Sequence, residues 1–467
     1  MAVSPPAPTS ARPGAPPPSS APEDGGAARS PKPVRLGLLG CGNVGAAFVS
    51  LVDTDAEAIA GRTGIRLDIV KVAVRDPGRA RAEGISAEQL AGRLTTDGAA
   101  VVDDPEVGVV VELIGGIEPA RSLVRAALSA GKPVVTANKE LMAAHGAELL
   151  AAADEAGVDL LFEASVAGAI PLVRLLKESL AGERIVRLTG IVNGTTNYVL
   201  TRMSEDGLGY GEAVREAQSL GYAEADPTAD VEGYDAAAKA AILAGIAFDA
   251  DVVASDVHRE GITAIEASDI DFAHRLGYEV KLVAVAESEG GAVSARVHPA
   301  MLPREHPLAS VRGPFNAVFV EGEAAGELMV YGRGAGGRPT ASAVLGDVLE
   351  AAHHLSEKTT ARSARRRRVR LRPIAELSTQ YYLSLDVVDR PGVLAAVASV
   401  FGEHHVSIRS MEQVGLGSEA RLVFITHTAR EADLQATIAE LAGLDSVERI
   451  GCVLRVIGQE PTAGEPR

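Results

Sequence analysis

VRLGLLGCGNVGAAFVSLV, residues 34–52, runs a short apolar segment into a glycine loop and then into a helical apolar pattern. Glycine makes up 49 of 467 residues, so a G-x-G-x-x-G spacing alone says little. Its setting, after a strand and at the start of a helix, is what gives it meaning. Gly40 permits the tight turn, Gly42 lets the backbone approach a pyrophosphate, and Gly45 allows close helix–strand packing. Asn43 and Val44 fall in the helix's first turn, where amides and the helix dipole favour an anion. Further strands are expected at 67–74, 107–114 and 132–136, with helical patterns at 119–130 and 139–156. That alternation predicts a parallel, doubly wound sheet of Rossmann type. The second strand ends at Ala73-Val74-Arg75-Asp76. An Arg there can meet a ribose 2′-phosphate and an acid can meet the free hydroxyls, so Arg75 predicts NADP and Asp76 leaves NAD tolerated.

The length suits about three domains. The dinucleotide-binding domain is expected over 34–160, completed by a returning helix at about 335–356. A catalytic and dimerisation domain of α+β type follows at 161–334, then a linker at 357–376. The linker's arginines, Arg365 to Arg368, read as solvated. Residues 377–457 alternate β-α-β-β-α-β, a ferredoxin-like module. In it Asp389-Arg390-Pro391-Gly392 opens the first helix. Residues 1–33 hold ten of the 25 prolines and read as a disordered tail.

A net charge of −17 argues against a nucleic-acid or anionic-membrane partner. No window reaches the ~18 uncharged apolar residues of a membrane span. The two cysteines, Cys41 and Cys452, form no disulfide framework, and the N-terminus lacks a secretory pattern. A cytoplasmic location is expected. Only eight of the 45 basic residues are lysine, so a lysine in a suggestive place stands out. Lysine can exchange a proton near neutrality, whereas arginine cannot.

Residues 217–239, AQSLGYAEADPTADVEGYDAAAK, carry Glu224, Asp226, Asp230, Glu232 and Asp235 ahead of Lys239. Asp235 and Lys239 share a helix face at i,i+4. The plain reading is a surface ion pair; the chemical one is a lysine held by Asp235 and poised for proton transfer. Lys139, in TANK, follows the strand 132–136 at the sheet's C-terminal edge, where ligands bind in doubly wound folds.

The 217–239 pattern resembles the signature of the homoserine dehydrogenases. GLLGCGNVG, TANKELM, FEASVAGAIPL, NGTTNY and GAGGRPTASAV extend the resemblance over roughly 34–355. The module at 377–457 resembles an ACT domain. The resemblance implies NAD(P)-dependent interconversion of L-homoserine and L-aspartate 4-semialdehyde, a step toward threonine, methionine and isoleucine. It implies Lys239 as the proton-transferring residue, with Lys139 beside nicotinamide and substrate. Asp235, Glu224 and Gly221 become substrate contacts, and Gly336 joins the cofactor site. It also implies a structural sodium ion at Glu163 and the carbonyls of Val166, Gly168 and Ile170, although the residues alone read as a domain-crossing loop. Threonine is the expected effector at the ACT module, and a homodimer or homotetramer the expected assembly. A catalytically inactive sensor of cofactor and amino acid is the alternative, opposed by the joint presence of Lys139, Asp235 and Lys239. Aspartate-semialdehyde dehydrogenase needs a cysteine nucleophile, and neither cysteine is placed for one.

Overall fold

The computed structural model describes residues 31–458 except 80, 87, 362–365 and 416–418. Residues 1–30 of the tail, and Arg365 of the arginine run, lie outside the described residues. Strand β1 (Lys32–Leu39) begins two positions earlier than the apolar pattern suggests, because Lys32 and Pro33 already pair with the next strand. It is followed by β2 (Ile65–Ala73), β3 (Leu94–Thr95), β4 (Val109–Glu112), β5 (Val134–Thr136) and β6 (Leu160–Leu161). These six form one parallel sheet in the order β3-β2-β1-β4-β5-β6. The order reverses between β1 and β4, the switch point at which such sheets leave a crevice. Every residue of β4 is buried, as expected of a strand covered on both faces.

Helix Lys139–Ala156 spans the residues its pattern predicts. The Asn138 side chain accepts from Leu141 N–H at 3.0 Å at one end, and left-handed Gly157 stops it at the other. Helix Gly337–Glu357 returns to the first sheet. Ala341, Val344, Val348 and Ala351 pack there with Leu36, Phe48 and Val111 in one apolar core.

The second sheet contains twelve strands: β7 (Ile185–Ile191), β8 (His258–Arg259), β9 (Tyr278–Glu289), β10 (Ala292–Pro303), β11 (Phe315–Gly322), β12 (Gly326–Arg333), β13 (Arg370–Leu371), β14 (Ser378–Val388), β15 (Ile408–Gly415), β16 (Glu419–Thr426), β17 (Ala429–Arg430) and β18 (Val447–Val456). Its main path runs β12-β11-β7-β9-β10-β18-β14-β16-β15. Within the C-terminal module the order β18-β14-β16-β15 is the ferredoxin-like arrangement expected from β-α-β-β-α-β.

Two features differ from the sequence reading. The C-terminal module is no separate appendage: β18 pairs in parallel with β10 through Ala300–Arg455 and Met301–Val456. Tyr382, Val423 and Leu454 pack in the same core as Val297 and Met301 of the catalytic domain. Nor is the whole arginine run solvated. Arg366 turns inward against Gly146 and Gly245, where added Cβ atoms would lie 3.2 and 3.0 Å from its guanidinium. Arg367 exchanges backbone hydrogen bonds with Asp249 and Asp251. Glycine at 146 and 245 leaves the room that admits the side chain.

Candidate active site

The glycine loop meets its three demands one residue at a time. Gly40 sits at φ +101°, and a Cβ there would lie 2.6 Å from the Leu113 carbonyl. A Cβ on Gly45 would lie 2.7 Å from the Gly40 carbonyl. On Gly42 it would meet no protein atom, so the loop presents bare backbone to the crevice. Asn43, Val44 and Gly45 begin the helix, whose first-turn amides have no intrahelical acceptor. Gly336, at φ +120°, precedes the helix starting at Gly337, whose own Cβ position falls 3.1 Å from the Asn43 carbonyl. Two helix N-termini therefore meet beside the loop. Arg75 is exposed just past β2, and Asp76 accepts from the Gly78 amide at 2.9 Å.

Across the crevice, helix Tyr234–Ala247 is alanine-rich and buried on nearly every face. It carries Asp235 and Lys239 inward, where they are 7% and 8% exposed. Lys239 Nζ donates to Asp235 Oδ2 at 2.8 Å and to the Val192 carbonyl at 2.7 Å. Lys139 Nζ, from the start of its helix after β5, donates to Asp235 Oδ1. Three residues singled out from sequence thus form one cluster, Lys139–Asp235–Lys239. Burial alone would push the Asp235 carboxyl up, but the two ammonium groups outweigh it and hold the carboxyl well below the usual range. Burial likewise pulls against the Lys139 ammonium, and the charge of Asp235 more than restores it, leaving its pKa raised. A cleft of about 240 Å³ opens on this cluster, lined among others by Gly116, Lys139, Ser165, Gly168, Lys239 and Gly334.

Asn193, within NGTTNY, has no role expected from the sequence. Its Nδ2 donates to Asp235 Oδ2 at 2.9 Å and to Asp230 Oδ1 at 2.7 Å. Its Oδ1 caps the helix that follows, accepting from Thr196 N–H at 2.8 Å. An Asn ahead of a helical pattern is the kind of N-cap signal that could have found it; that its other face orders a carboxylate leaves no mark in the sequence.

Gly221 and Glu224 lie on an exposed loop. Thr195 Oγ1 donates to the Tyr222 carbonyl at 2.6 Å and ties that loop to the Asn193 turn. Glu224 makes no side-chain hydrogen bond to the lysine cluster.

Glu163, implied as a ligand of a structural sodium together with the carbonyls of Val166, Gly168 and Ile170, has its carboxylate engaged by backbone amides. Its carboxylate is buried and accepts from the amides of Leu172, Val173 and Arg174 at 2.7, 2.7 and 2.9 Å. Its oxygens cap a helix start. Ala167 and Gly168 are both left-handed, which makes the bend compact. The Ile170 carbonyl already accepts from Leu172 N–H at 2.8 Å. Among the described residues no group of three or more His, Cys, Asp or Glu could hold a metal ion.

Comparison with known proteins agrees with this architecture. Residues 40–163 match the family model for the homoserine dehydrogenase NAD-binding domain, 171–349 that for homoserine dehydrogenase, and 381–445 that for the ACT domain. A homoserine dehydrogenase of Corynebacterium glutamicum is 49% identical, over 91% of this chain and 95% of that protein. The crystal structure of a homoserine dehydrogenase from Thiobacillus denitrificans superposes with a TM-score of 0.85 at 40% identity, covering 91% of this chain and 98% of that one. A hyperthermophilic archaeal homoserine dehydrogenase in complex with NADPH gives a TM-score of 0.58 at 29% identity, over 69% of this chain and 98% of the other. Shared over nine-tenths of its length at such identity, with all three parts in order, this chain belongs to the homoserine dehydrogenase family.

Proposed function

We propose that the chain interconverts L-homoserine and L-aspartate 4-semialdehyde with NADP, using Lys239 to carry the hydroxyl proton. The observation that carries this reading is the lysine cluster in a cleft at the C-terminal edge of the parallel sheet, the sheet whose first strand leads into the glycine loop. A bound nicotinamide dinucleotide supplies the hydride acceptor and, in reverse, the donor. The bare backbone at Gly42 and the first-turn amides of Asn43, Val44 and Gly45 suit its pyrophosphate. Gly336 flanks the same loop. Arg75 supports a 2′-phosphate and hence NADP, with NAD tolerated through Asp76.

An ammonium has three N–H groups. Asp235 and the Val192 carbonyl engage two at Lys239, which leaves one direction for the substrate oxygen. In oxidation the neutral Lys239 amine, with its lone pair in that third direction, takes the hydroxyl proton as hydride leaves carbon and becomes the ammonium; in reduction the ammonium returns that proton to the forming alkoxide. Lys139 holds Asp235 from the cofactor side and supplies positive charge near the reacting oxygen. Glu224 and Gly221 serve the substrate's amino-acid end, where a carboxylate suits an ammonium. A structural sodium at Glu163 and the carbonyls of Val166, Gly168 and Ile170 is proposed by the resemblance alone, and no step is routed through a cation.

Threonine is proposed as effector in a groove of about 410 Å³ that includes Asp389, Arg390, Gly392 and Gln413. An acid and a base side by side suit a small amino acid, and feedback by threonine would place the enzyme on the route to threonine, methionine and isoleucine. A homodimer or homotetramer is proposed, supported by exposed Leu328, Met329 and Tyr331 on the outer strand β12.

One assay tests the central reading. Absorbance at 340 nm is followed with homoserine and NADP or NAD, with and without threonine, for wild type and Lys239→Arg. Expected are turnover by wild type with the lower KM for NADP, inhibition by threonine, and a loss of at least ~10²-fold in kcat for the arginine variant, which retains charge but cannot exchange the proton. Near-wild-type turnover in Lys239→Arg overturns the proton role.

A further inference from the structure

The carbonyl of Val192 receives a second donor besides Lys239. Asn316 Nδ2 reaches it at 2.9 Å, from a side chain only 1% exposed. Strand register explains the meeting. β11 pairs antiparallel with β7 up to Ala317–Ile191, so Asn316 and Val192 are the next residues beyond that pairing. The backbone ladder stops there, and the Asn316 amide supplies the hold on Val192 that the ladder no longer gives.

The amide is packed directly on the cleft wall. A Cβ on Gly334, which lines the cleft, would fall 2.0 Å from Asn316 Nδ2 and 2.1 Å from its Cγ. Its Oδ1 is buried with no hydrogen-bond partner among the described residues. A buried amide with one end unused is a poor choice for stability alone, since an apolar side chain of similar size would bury no unpaired oxygen. What the amide does supply is a donor to the same oxygen that fixes Lys239.

We infer that Asn316 is a positioning residue for the proton transfer: by anchoring the Val192 carbonyl it sets where the Lys239 Nζ points. The inference rests on the reading of Lys239 as proton carrier. Lys239 has two anchors, Asp235 and Val192. Asp235 is itself fixed by Asn193 and Lys139, whereas the Val192 carbonyl depends on Asn316 for its other side-chain hydrogen bond. Release of that carbonyl lets the ammonium follow it, and a displacement of about 1 Å at a reacting group costs on the order of 10²-fold in rate.

The test is a kinetic cycle with Asn316→Leu, Lys239→Ala and the double variant, all assayed with ethylamine as external proton donor and acceptor. Asn316→Leu alone should lose at least ~10-fold in kcat while KM for homoserine and for the dinucleotide stays within about twofold. In the Lys239→Ala background the same change should cost under about twofold, because its route of action is gone. An additive loss in the double variant, or unchanged kcat in the single one, overturns the inference. If Asn316→Leu does not fold, Asn316→Ser, smaller and still polar, is read through the same cycle. Wild-type turnover in Lys239→Ala without ethylamine would instead defeat the proton-carrier reading, so the two failures are distinct.

Discussion

Arg455 joins the C-terminal module to the rest of the molecule through one guanidinium. Its Nη1 and Nη2 donate to the two Glu260 oxygens at 2.8 and 2.7 Å. Its Nε and Nη2 donate to the two Glu431 oxygens at 3.0 and 2.8 Å. Glu260 belongs to the catalytic domain, Glu431 to the ACT module, and the Arg455 side chain is 5% exposed. Arg455→Met keeps the length and removes the charge. Glu431 would then keep Tyr381 Oη and Gln435, at 2.9 Å each, but stay buried with a formal charge. Removing one partner of a buried pair costs about 3–5 kcal/mol. Glu260 is one-third exposed and still faces His258, so its share falls toward the ~1 kcal/mol of a surface pair. A loss of ~3 kcal/mol follows, nearly all from Glu431.

The pH dependence supplies a second signature. Burial would raise the Glu260 carboxyl, but His258 and Arg455 outweigh it and hold the carboxyl well below its ordinary value of 4.5. A carboxyl lowered on folding stabilises above the unfolded pKa, and that contribution is lost as pH falls toward the folded one. Wild type should therefore lose stability below about pH 5, and the variant should lose less, so the deficit narrows on acidification by up to the ~1 kcal/mol share of Glu260. With no tryptophan in the chain, far-UV circular dichroism in urea is the suitable assay. Equal midpoints at pH 7.5, or a deficit as large at pH 3.5 as at 7.5, would refute the reasoning.

Lys281 is buried and donates to the Val311 carbonyl at 2.7 Å and to Asn197 Oδ1 at 3.2 Å; burial, then the nearby Arg312, pull its ammonium down to about 7. The unfolded chain keeps that proton up to about 10.5, so stability should rise with pH between 7 and 10, by up to ~1.4 kcal/mol per unit. Lys281→Met should flatten that rise, and unchanged slopes in urea midpoints at pH 7, 8, 9 and 10 would contradict it. Gly45→Ala forces a methyl to within 2.7 Å of the Gly40 carbonyl, so the loop must shift. Expected are a ~10-fold higher KM for NADP at an unchanged KM for homoserine and about 1–3 kcal/mol of lost stability; an unaltered cofactor KM would count against the loop's assignment.

What could be read from the sequence was what is local. The glycine loop, the helix Lys139–Ala156 and the Asp235–Lys239 face follow from spacing within a few turns. Lys139 and Asp235 are 96 positions apart, and only the fold brings them together. The amide partners of Glu163, Leu172 to Arg174, return to it through a bend whose two left-handed residues, Ala167 and Gly168, leave no mark in the sequence where one is alanine. The hairpin between β9 and β10 carried a usable sign, Gly290-Gly291, both left-handed. Continuity of β10 with β18 carried none, since parallel pairing at two residues leaves no mark in composition.

That continuity bears on regulation. If threonine acts from the groove at Gly392, groove and cleft must be joined by contacts; β14, whose end at Val387 and Val388 lines the groove and whose Tyr381 pairs with Arg455, leads to a series that runs on toward the cleft. Arg455 holds Glu260; the Ile262 amide donates to the Val231 carbonyl at 2.8 Å, and Arg259 Nη1 to the Glu232 carbonyl at 2.7 Å. Both contacts land in the turn that carries Asp230, which shares the Asn193 amide with Asp235. Spatial continuity alone is not coupling; an element must take two arrangements that both sites bias. Arg455→Met tests whether this series is that element. A variant that binds threonine as tightly as wild type yet is inhibited at least ~10-fold less identifies the guanidinium as the joint, and undiminished inhibition assigns the coupling to the packed β10–β18 seam instead.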